Sequence, residues 1–272
     1  MIDQHVHSAC SIDADTPMKD MALAAADMGL DLLCFTDHCD LEHHLTGLFD
    51  PGCFDRDRLI SDFSRASESV KGKLRLRLGL ELGAGWRLKD KAAEIAAGCD
   101  FDLIIGSVHN LPSQPDFYFL DFEKEPYRTP EACKKLFRQY IGEHFEMIGH
   151  SLFDVIGHIG YPLRYMKRAG IKLSLSEYYD EFSLLFRKLI ESGKGIEVNT
   201  AGLRKDFGQV LPLPGILKLY RQSGGEIVTI GSDAHDISSL GTGIREAQDL
   251  LEKIGFRYFT VFTKRKPEFF KL

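Results

Sequence analysis

Short apolar runs alternate with longer amphipathic stretches along the whole chain, which predicts a repeated strand–helix unit. Residues 1–7 form the first expected strand. A helix follows from Pro17, with Asp15 or Thr16 as its N-cap and Gly29 as its stop. Residues 31–36 make the second strand, and the next helix puts Leu59, Phe63, Ala66 and Val70 on one face at spacings of four, three and four. Strand three covers 74–82, and a helix over 88–97 ends at Gly98. Strand four, 101–108, is apolar enough to be buried on both faces. Thr129-Pro130-Glu131 opens a long helix with an apolar stripe through Leu136, Tyr140 and Phe145. Strand five is 153–157, followed by a helix from Ser176 that carries Phe182, Leu185, Phe186 and Leu189 to a stop at Gly193. Strands six and seven are 194–199 and 226–231, with a helix over 216–222 between them; a last helix, 244–254, precedes a final strand, 258–262. Roughly seven or eight βα units of this kind favour a closed parallel barrel or a doubly wound sheet in an α/β chain. No linker, low-complexity stretch or break in composition divides the chain, so one domain over 1–272 is the simplest expectation.

Composition narrows the function classes. With 44% apolar and 27% charged residues, a core of normal size is available without a disulfide or structural metal. A formal charge of −6 disfavours a nucleic-acid partner, which usually leaves a basic footprint. The six cysteines form no CxxC pair and no finger spacing, and are expected as reduced thiols. Asp3 and Gln4 interrupt the start, so no signal peptide is expected, and no apolar run could span a bilayer. The expected location is cytoplasmic, with no membrane partner; the oligomeric state is not legible.

The chemistry is concentrated where the strands end. Strand one ends in His5-Val6-His7, two side chains on one face, and Asp13 lies six residues later. Strand two ends in Thr36-Asp37-His38, strand three at Glu81, strand four at His109, strand five at His158, and strand seven in Ser232-Asp233-Ala234-His235. In a parallel barrel these ends converge on the face where active sites of such barrels are built. Nine candidate ligands exceed what one four-coordinate zinc can use, so two or three divalent ions are expected, with Glu81 as a bridging carboxylate.

Each motif alone has a plainer explanation. An HxH pair can be two satisfied histidines, Asp37-His38 a helix cap beside a surface histidine, and Asp233-Ala234-His235 a turn. Glu81 could be a salt bridge, although it follows apolar Leu76, Leu78 and Leu80 into a place where an unpaired acid is costly. Those explanations do not account for all of them falling at strand ends, with six of the chain's ten histidines among them. His144 and His150, on or after the long helix, are expected to be structural or solvated. His43 and His44 are expected as an exposed loop pair rather than as pocket lining.

At these residues the chain resembles the polymerase and histidinol phosphatase (PHP) superfamily, whose motifs run HxH, TDH, a strand-end Glu, SVH, GH and SDAH. Here they stand as His5-Val6-His7, Thr36-Asp37-His38, Glu81, Ser107-Val108-His109, Gly157-His158 and Ser232-Asp233-Ala234-His235. The resemblance covers nearly the whole length, in order. It implies a distorted seven-stranded β/α barrel, TIM-like, with a trinuclear metal site. One ion would take His5, His7, Glu81 and Asp233; a second would share Glu81 with His109 and His158; the third would use His38, His235 and Asp13. Many members carry histidine at the position of Asp13, and the aspartate here could favour Mn or Fe over Zn in that site. The segment from Gly195 to Arg204, and the lack of an attached polymerase domain, resemble the histidinol-phosphatase branch. There a basic residue after GH meets the substrate phosphate, and Arg164 is the match.

The implied reaction is hydrolysis of a small phosphomonoester, L-histidinol phosphate first, in histidine biosynthesis. A hydroxide bridging two ions would be the nucleophile, with Glu81, Asp233 and His235 at the reacting centre. Arg164 and Arg204 are the expected phosphate clamps, with Asn199 beside them, although a surface salt bridge explains Arg204 equally well. Cys10 has no activating partner and is assigned to packing. The loop over 110–127, rich in aromatics and with three prolines, either walls the pocket or packs on its own small core. Rival readings are a PHP enzyme acting on nucleotides, phosphotyrosine or nucleic-acid ends, a metal-dependent amidohydrolase, and a non-catalytic metal-binding protein. The Lys264-Arg265-Lys266 cluster is expected to be a solvated tail.

Overall fold

A computed structural model describes residues 1–150, 152–204 and 207–272. In chain order its elements are β1 (Ile2–Val6), α1 (Met18–Asp27), β2 (Leu32–Phe35), β3 (His38–Asp40), α2 (Arg56–Ser69), β4 (Arg75–Gly83), α3 (Lys89–Gly98), β5 (Leu103–Ser107), α4 (Pro130–Ile148), β6 (Val155–Ile156), α5 (Leu163–Arg168), α6 (Tyr179–Glu191), β7 (Gly195–Asn199), α7 (Pro214–Gln222), β8 (Val228–Gly231), α8 (Ile244–Ile254), β9 (Tyr258–Thr263) and β10 (Lys266–Lys271). The parallel sheet runs β1-β2-β4-β5-β6-β7-β8, with the short β3 also pairing with β4. At the far ends β1 meets β8: the Asp233 amide donates to the His5 carbonyl at 2.7 Å and the His7 amide to Ala234 at 2.8 Å. The sheet is thus a nearly closed barrel of seven staves, as the family resemblance implies; the strand–helix pattern alone allowed seven or eight units and a doubly wound sheet as well. Among the described residues no helix is long and apolar enough to cross a membrane.

Local signals explain the elements. All of β5 (Leu-Ile-Ile-Gly-Ser) is buried, the signature of a parallel stave covered on both faces. α4 begins at Pro130, behind Thr129, whose hydroxyl accepts from the Ala132 amide at 3.2 Å. α1 starts one residue later than the sequence suggests: Pro17 itself is the N-cap, and neither Asp15 nor Thr16 caps the helix with a side chain. α5, which the sequence pattern did not show, is only six residues long, too short for a periodic stripe.

The C-terminal segment departs from the expected repeat. β9 pairs antiparallel with β10 as a separate hairpin, so the strand over 258–262 is not an eighth stave. Nor is the 264–266 cluster a solvated tail. Arg265 sits at the hairpin turn and grips the buried Asp154 at 2.9–3.2 Å, while the Lys264 amide donates to Asp102. Asp102 and Asp154 immediately precede β5 and β6, so the hairpin covers the N-terminal mouth of the barrel, opposite the strand ends that carry the chemistry.

His144 is fully buried on α4 and gives its Nδ1 proton to the Tyr140 carbonyl at 2.9 Å, while its Nε2 has no partner among the described residues. Burial pushes its pKa down to about 4. The unfolded chain, with an ordinary imidazole near 6.5, therefore binds the proton better than the fold does. Stability from this residue is complete above about pH 6.5 and is lost as pH falls to about 4, by roughly 3 kcal/mol. Urea unfolding at pH 7 and pH 5 should show a smaller acid loss in His144→Leu than in the parent; equal losses would refute this assignment.

Candidate metal centre

The strand ends converge as the parallel topology requires. β1 delivers His5 and His7, β3 begins at His38, β4 carries Glu81, His109 and His158 follow β5 and β6, and Asp233 and His235 follow β8. Two of them pass through unusual backbone: Asp233 has φ +55° and His158 φ +22°, a region non-glycine residues seldom occupy and which recurs at functional sites.

Glu81 is the hub, fully buried, with its two oxygens facing different histidines. Oε2 lies 3.1 Å from His5 Nε2 and 3.4 Å from His7 Nε2, and Asp233 Oδ1 closes that group 3.4 Å from His7 Nε2 and 3.8 Å from His5 Nε2. Oε1 lies 3.1 Å from His109 Nε2 and 2.7 Å from His158 Nε2. At the outer edge His235 Nε2 is 3.1 Å from Asp13 Oδ2 and His38 Nε2 is 3.7 Å from Asp13 Oδ1, with the rings of His38 and His235 stacked on His7. The Asp13 side chain is half exposed, the most open of the nine.

The outward face of the cluster explains its inward one. His5 Nδ1 donates to Glu197 at 2.6 Å, His7 Nδ1 to Ser11 at 3.0 Å, His109 Nδ1 to Asp40 at 2.8 Å and His235 Nδ1 to the Asp233 carbonyl at 3.1 Å. With one proton on each of these Nδ1 atoms and none elsewhere, the form that binds metal, Nε2 of the four rings is a lone pair facing inward. Yet Nε2 of His5 and His7 are only 3.0 Å apart, and Nε2 of His109 and His158 only 3.2 Å. Facing lone pairs repel unless a proton or a metal ion lies between them. Donors about 2.1 Å from a tetrahedral ion stand roughly 3.4 Å apart, close to the spacings here, so the residues fit divalent metal ions. Among the described residues three donor groups have their ligand atoms within 4.8 Å of one another: His5-His7-Glu81, His38-Glu81-His109 and His7-His38-His235.

Charge follows the same arrangement. Burial alone would raise the Glu81 carboxyl, but His5, His38 and His109 outweigh it and hold it well below the ordinary range. Asp233 is likewise held down by His5, His7 and His235 against its burial. Burial lowers His5, yet Glu197, Glu81 and Asp233 raise it well above an ordinary imidazole. His235, also lowered by burial, is carried up to about 9 chiefly by Asp13 and Asp233. Without metal the cluster therefore stores protons that bound ions would displace.

Glu197 and Asp40 were not singled out from the sequence, and Ser107 stood there only as part of the Ser107-Val108-His109 motif. Ser107 donates to Glu81 Oε1 at 2.6 Å, and Asp40 Oδ2 lies 3.3 Å from His38 Nδ1. The available signal for Glu197 was an acid inside the wholly buried strand Gly-Ile-Glu-Val-Asn. Gly231 belongs to the same device, because a Cβ there would fall 2.2 Å from His5 Cβ and 2.7 Å from Glu197 Oε1. Glu197→Gln should keep the fold and weaken metal affinity about 10- to 100-fold, measured by chelator competition. Unchanged affinity would remove Glu197 from the metal's support.

Seven of the nine residues open into a cavity of about 470 Å³, while His5 and His7 lie behind them, fully buried. Arg164 and Arg204 line it. Arg164, on α5, donates to Asn199 Oδ1 at 3.1 Å and stands 3.9 Å from Asp233 Oδ2. Arg204 forms no salt bridge among the described residues; it donates to the carbonyls of Ser232 and Asp233. Asn199 is fully buried and does not line the cavity, its amide group spent on Arg164, Glu197 and Asp233. It stands behind the two groups that do. His44 lines the cavity with Phe119 against it, correcting the exposed-pair expectation. The 110–127 loop does both things foreseen for it: Phe117 and Phe122 are buried in the core, while Asp116, Tyr118 and Phe119 face the cavity. Cys10 donates to Asp62, and burial pushes its thiol up to about 12, far from a thiolate nucleophile.

Comparison with known proteins agrees with this geometry. A histidinol-phosphatase of Lactococcus lactis is 25% identical, covering 97% of this chain and 95% of that protein, and a "Probable histidinol-phosphatase" of Thermotoga maritima is 29% identical over 97% of each. The fold matches a crystal structure of histidinol phosphate phosphatase from Lactococcus lactis, complexed with zinc, L-histidinol and phosphate, at TM-score 0.76, 24% identity and 98% coverage of both chains. The PHP domain family matches residues 3–201, a span that begins two residues before His5 and ends just past Asn199; the chain belongs to the PHP domain family.

Proposed function

We propose that the chain is a metal-dependent phosphatase that hydrolyses L-histidinol phosphate to histidinol and phosphate, as its named relatives do, and that the whole of 1–272 serves this one activity. The observation that carries the reading is the Glu81 carboxylate with its oxygens shared between two sets of inward-facing imidazoles. In our assignment His5, His7, Glu81 and Asp233 hold one divalent ion, Glu81, His109 and His158 a second, and His38, His235 and Asp13 a third. Zinc is the first choice, given the zinc-bound neighbour of this fold, and Mn or Fe the alternatives. When bound, such ions lower the pKa of a coordinated water and neutralise phosphoryl charge.

The chain's own residues do the rest. Arg164 and Arg204, beside Asp233, offer N–H donors to phosphate oxygens as the ester enters. Asn199 holds the Arg164 guanidinium and the Asp233 carboxylate in fixed relation. Tyr161, Tyr118 and Phe119 narrow the cavity over the organic part and limit water there. Six free cysteines and a small diffusible substrate support a cytoplasmic location.

Purified protein reconstituted with Zn, Mn or Fe should release phosphate from L-histidinol phosphate faster than from a generic phosphomonoester. Metals bound with no turnover of any phosphoester would defeat the reading.

A further inference from the structure

Four of the clustered histidines are aimed from behind, because their Nδ1 atoms have acceptors: Glu197, Ser11, Asp40 and the Asp233 carbonyl. His158 is not. Its Nδ1 is buried without a hydrogen-bond partner among the described residues, although its Nε2 lies 2.7 Å from Glu81 Oε1. Its strand gives little help. β6 has two residues, the shortest of the seven staves, and His158 follows it at φ +22°. Apart from the Tyr161 ring, 5.0 Å away, what holds this imidazole has to act through the backbone of residues 157–161.

Two side chains grip that backbone. The His158 amide donates to Glu197 Oε2 at 2.9 Å. Beyond it, a single oxygen takes two amides: the Tyr140 hydroxyl accepts from Gly160 at 2.9 Å and from Tyr161 at 3.3 Å. Tyr140 is fully buried on α4, with its ring between Phe137 at 5.6 Å, Phe117 at 5.7 Å and His144 at 4.5 Å. Burial holds its phenol well above the ordinary value, so the hydroxyl stays neutral. A fixed oxygen with both lone pairs spent on one turn leaves that turn little freedom.

We propose that Tyr140 is a positioning residue for the metal centre: by accepting the Gly160 and Tyr161 amides it fixes the 158–161 turn and so sets His158 Nε2 against Glu81. The inference rests on the reading above, in which Glu81, His109 and His158 hold the second ion. The ion assigned to His5, His7, Glu81 and Asp233 has Glu197 and Ser11 behind its imidazoles and does not depend on this oxygen. Tyr140 therefore acts on one ion site and spares the other.

Tyr140→Phe removes the oxygen and keeps the ring. Under chelator competition the full-length variant, reloaded with zinc, should hold one ion per chain roughly 10- to 100-fold more weakly than the parent and the tightest ion unchanged. Phosphate release should fall at limiting zinc and recover in excess zinc. Tyr220→Phe is the control: it loses a hydrogen bond of similar length, from the hydroxyl to the Ile227 carbonyl at 2.9 Å, and should lose thermal stability alone. If Tyr140→Phe behaves like Tyr220→Phe, or weakens every ion equally, the proposal is overturned. The parent decides the matter if Tyr140→Phe fails to fold. Coupling between the clamp and the ion is reciprocal, so zinc loading should slow hydrogen exchange of the Gly160 and Tyr161 amides by a similar factor, roughly 10- to 100-fold. Unchanged exchange overturns the proposal. A parent that binds no zinc strikes the metal assignment itself and is distinguishable from all of these.

Discussion

Glu81→Gln is expected to lose turnover by about 10³-fold or more, together with bound metal. A carboxylate shared by two ion positions contributes several kcal/mol of charge stabilisation, and each 1.36 kcal/mol is a factor of ten in rate. Glutamine is nearly isosteric, so Ser107 can still donate to its carbonyl oxygen, and the barrel, whose β4 pairs on both sides, has no reason to open. What changes is charge and donor capacity: with the carbonyl kept at the Oε1 position, the NH₂ group replaces Oε2 and would face the nitrogens of His5 and His7, which now have a carboxylate oxygen 3.1–3.4 Å away. Metal analysis and phosphate release on the same preparation decide it. A variant with a full metal complement and turnover within tenfold of the parent would show that Glu81 is not the bridge.

Arg164→Ala should raise KM and lower kcat, for a combined loss in kcat/KM of roughly 10²- to 10³-fold, with metal content unchanged. A charge-assisted arginine contact to phosphate that strengthens as charge builds is worth about 2.7–4 kcal/mol. The geometry gives this residue a fixed aim. One guanidinium nitrogen is held by Asn199 and the guanidinium carbon lies 5.5 Å from the centre of the Tyr161 ring, so the group meets the cavity without much freedom to lose. Arg164→Lys should recover only part of the loss, because an ammonium cannot reproduce the planar fork. Kinetics equal to the parent's would remove Arg164 from the mechanism. A fall in metal content would reassign it to holding Asp233.

Much of this site is legible without coordinates because metal chemistry and strand topology constrain each other. His5 and His7 share a face by the two-residue period of a strand, and Glu81 ends an apolar alternation that no solvated acid would follow. His109, His158 and Asp233 each stand just past a β-branched or glycine-rich run. A parallel sheet then carries all of these ends to one rim, whatever the loops do. The support behind them is less visible. Glu197 is a single acid in a hydrophobic run, and only the approach of β1 to β8, with Gly231 leaving room, shows that it orients His5. Asp40 lies in three residues of β3, too short to register as a strand, yet the pairing of β3 with β4 sets it against His109. α5 is a turn and a half long and carries no periodic signal, so the position of Arg164 could be carried over from a family motif but its aim could not.

The alternation of buried runs and amphipathic stretches was enough to establish a parallel sheet of roughly seven or eight strand–helix units and the rim at which histidines and acids gather, because hydrophobic period and strand direction are local properties that add along the chain. The choice of seven staves over eight, and of a barrel over a doubly wound sheet, came from the family resemblance and the tertiary structure. The order in which those side chains pair, the split of Glu81 between two groups, and the hairpin of β9 and β10 under the barrel were decided only by tertiary structure. Each depends on distances between residues tens to hundreds of positions apart, and those are set by closure of the barrel rather than by any local preference.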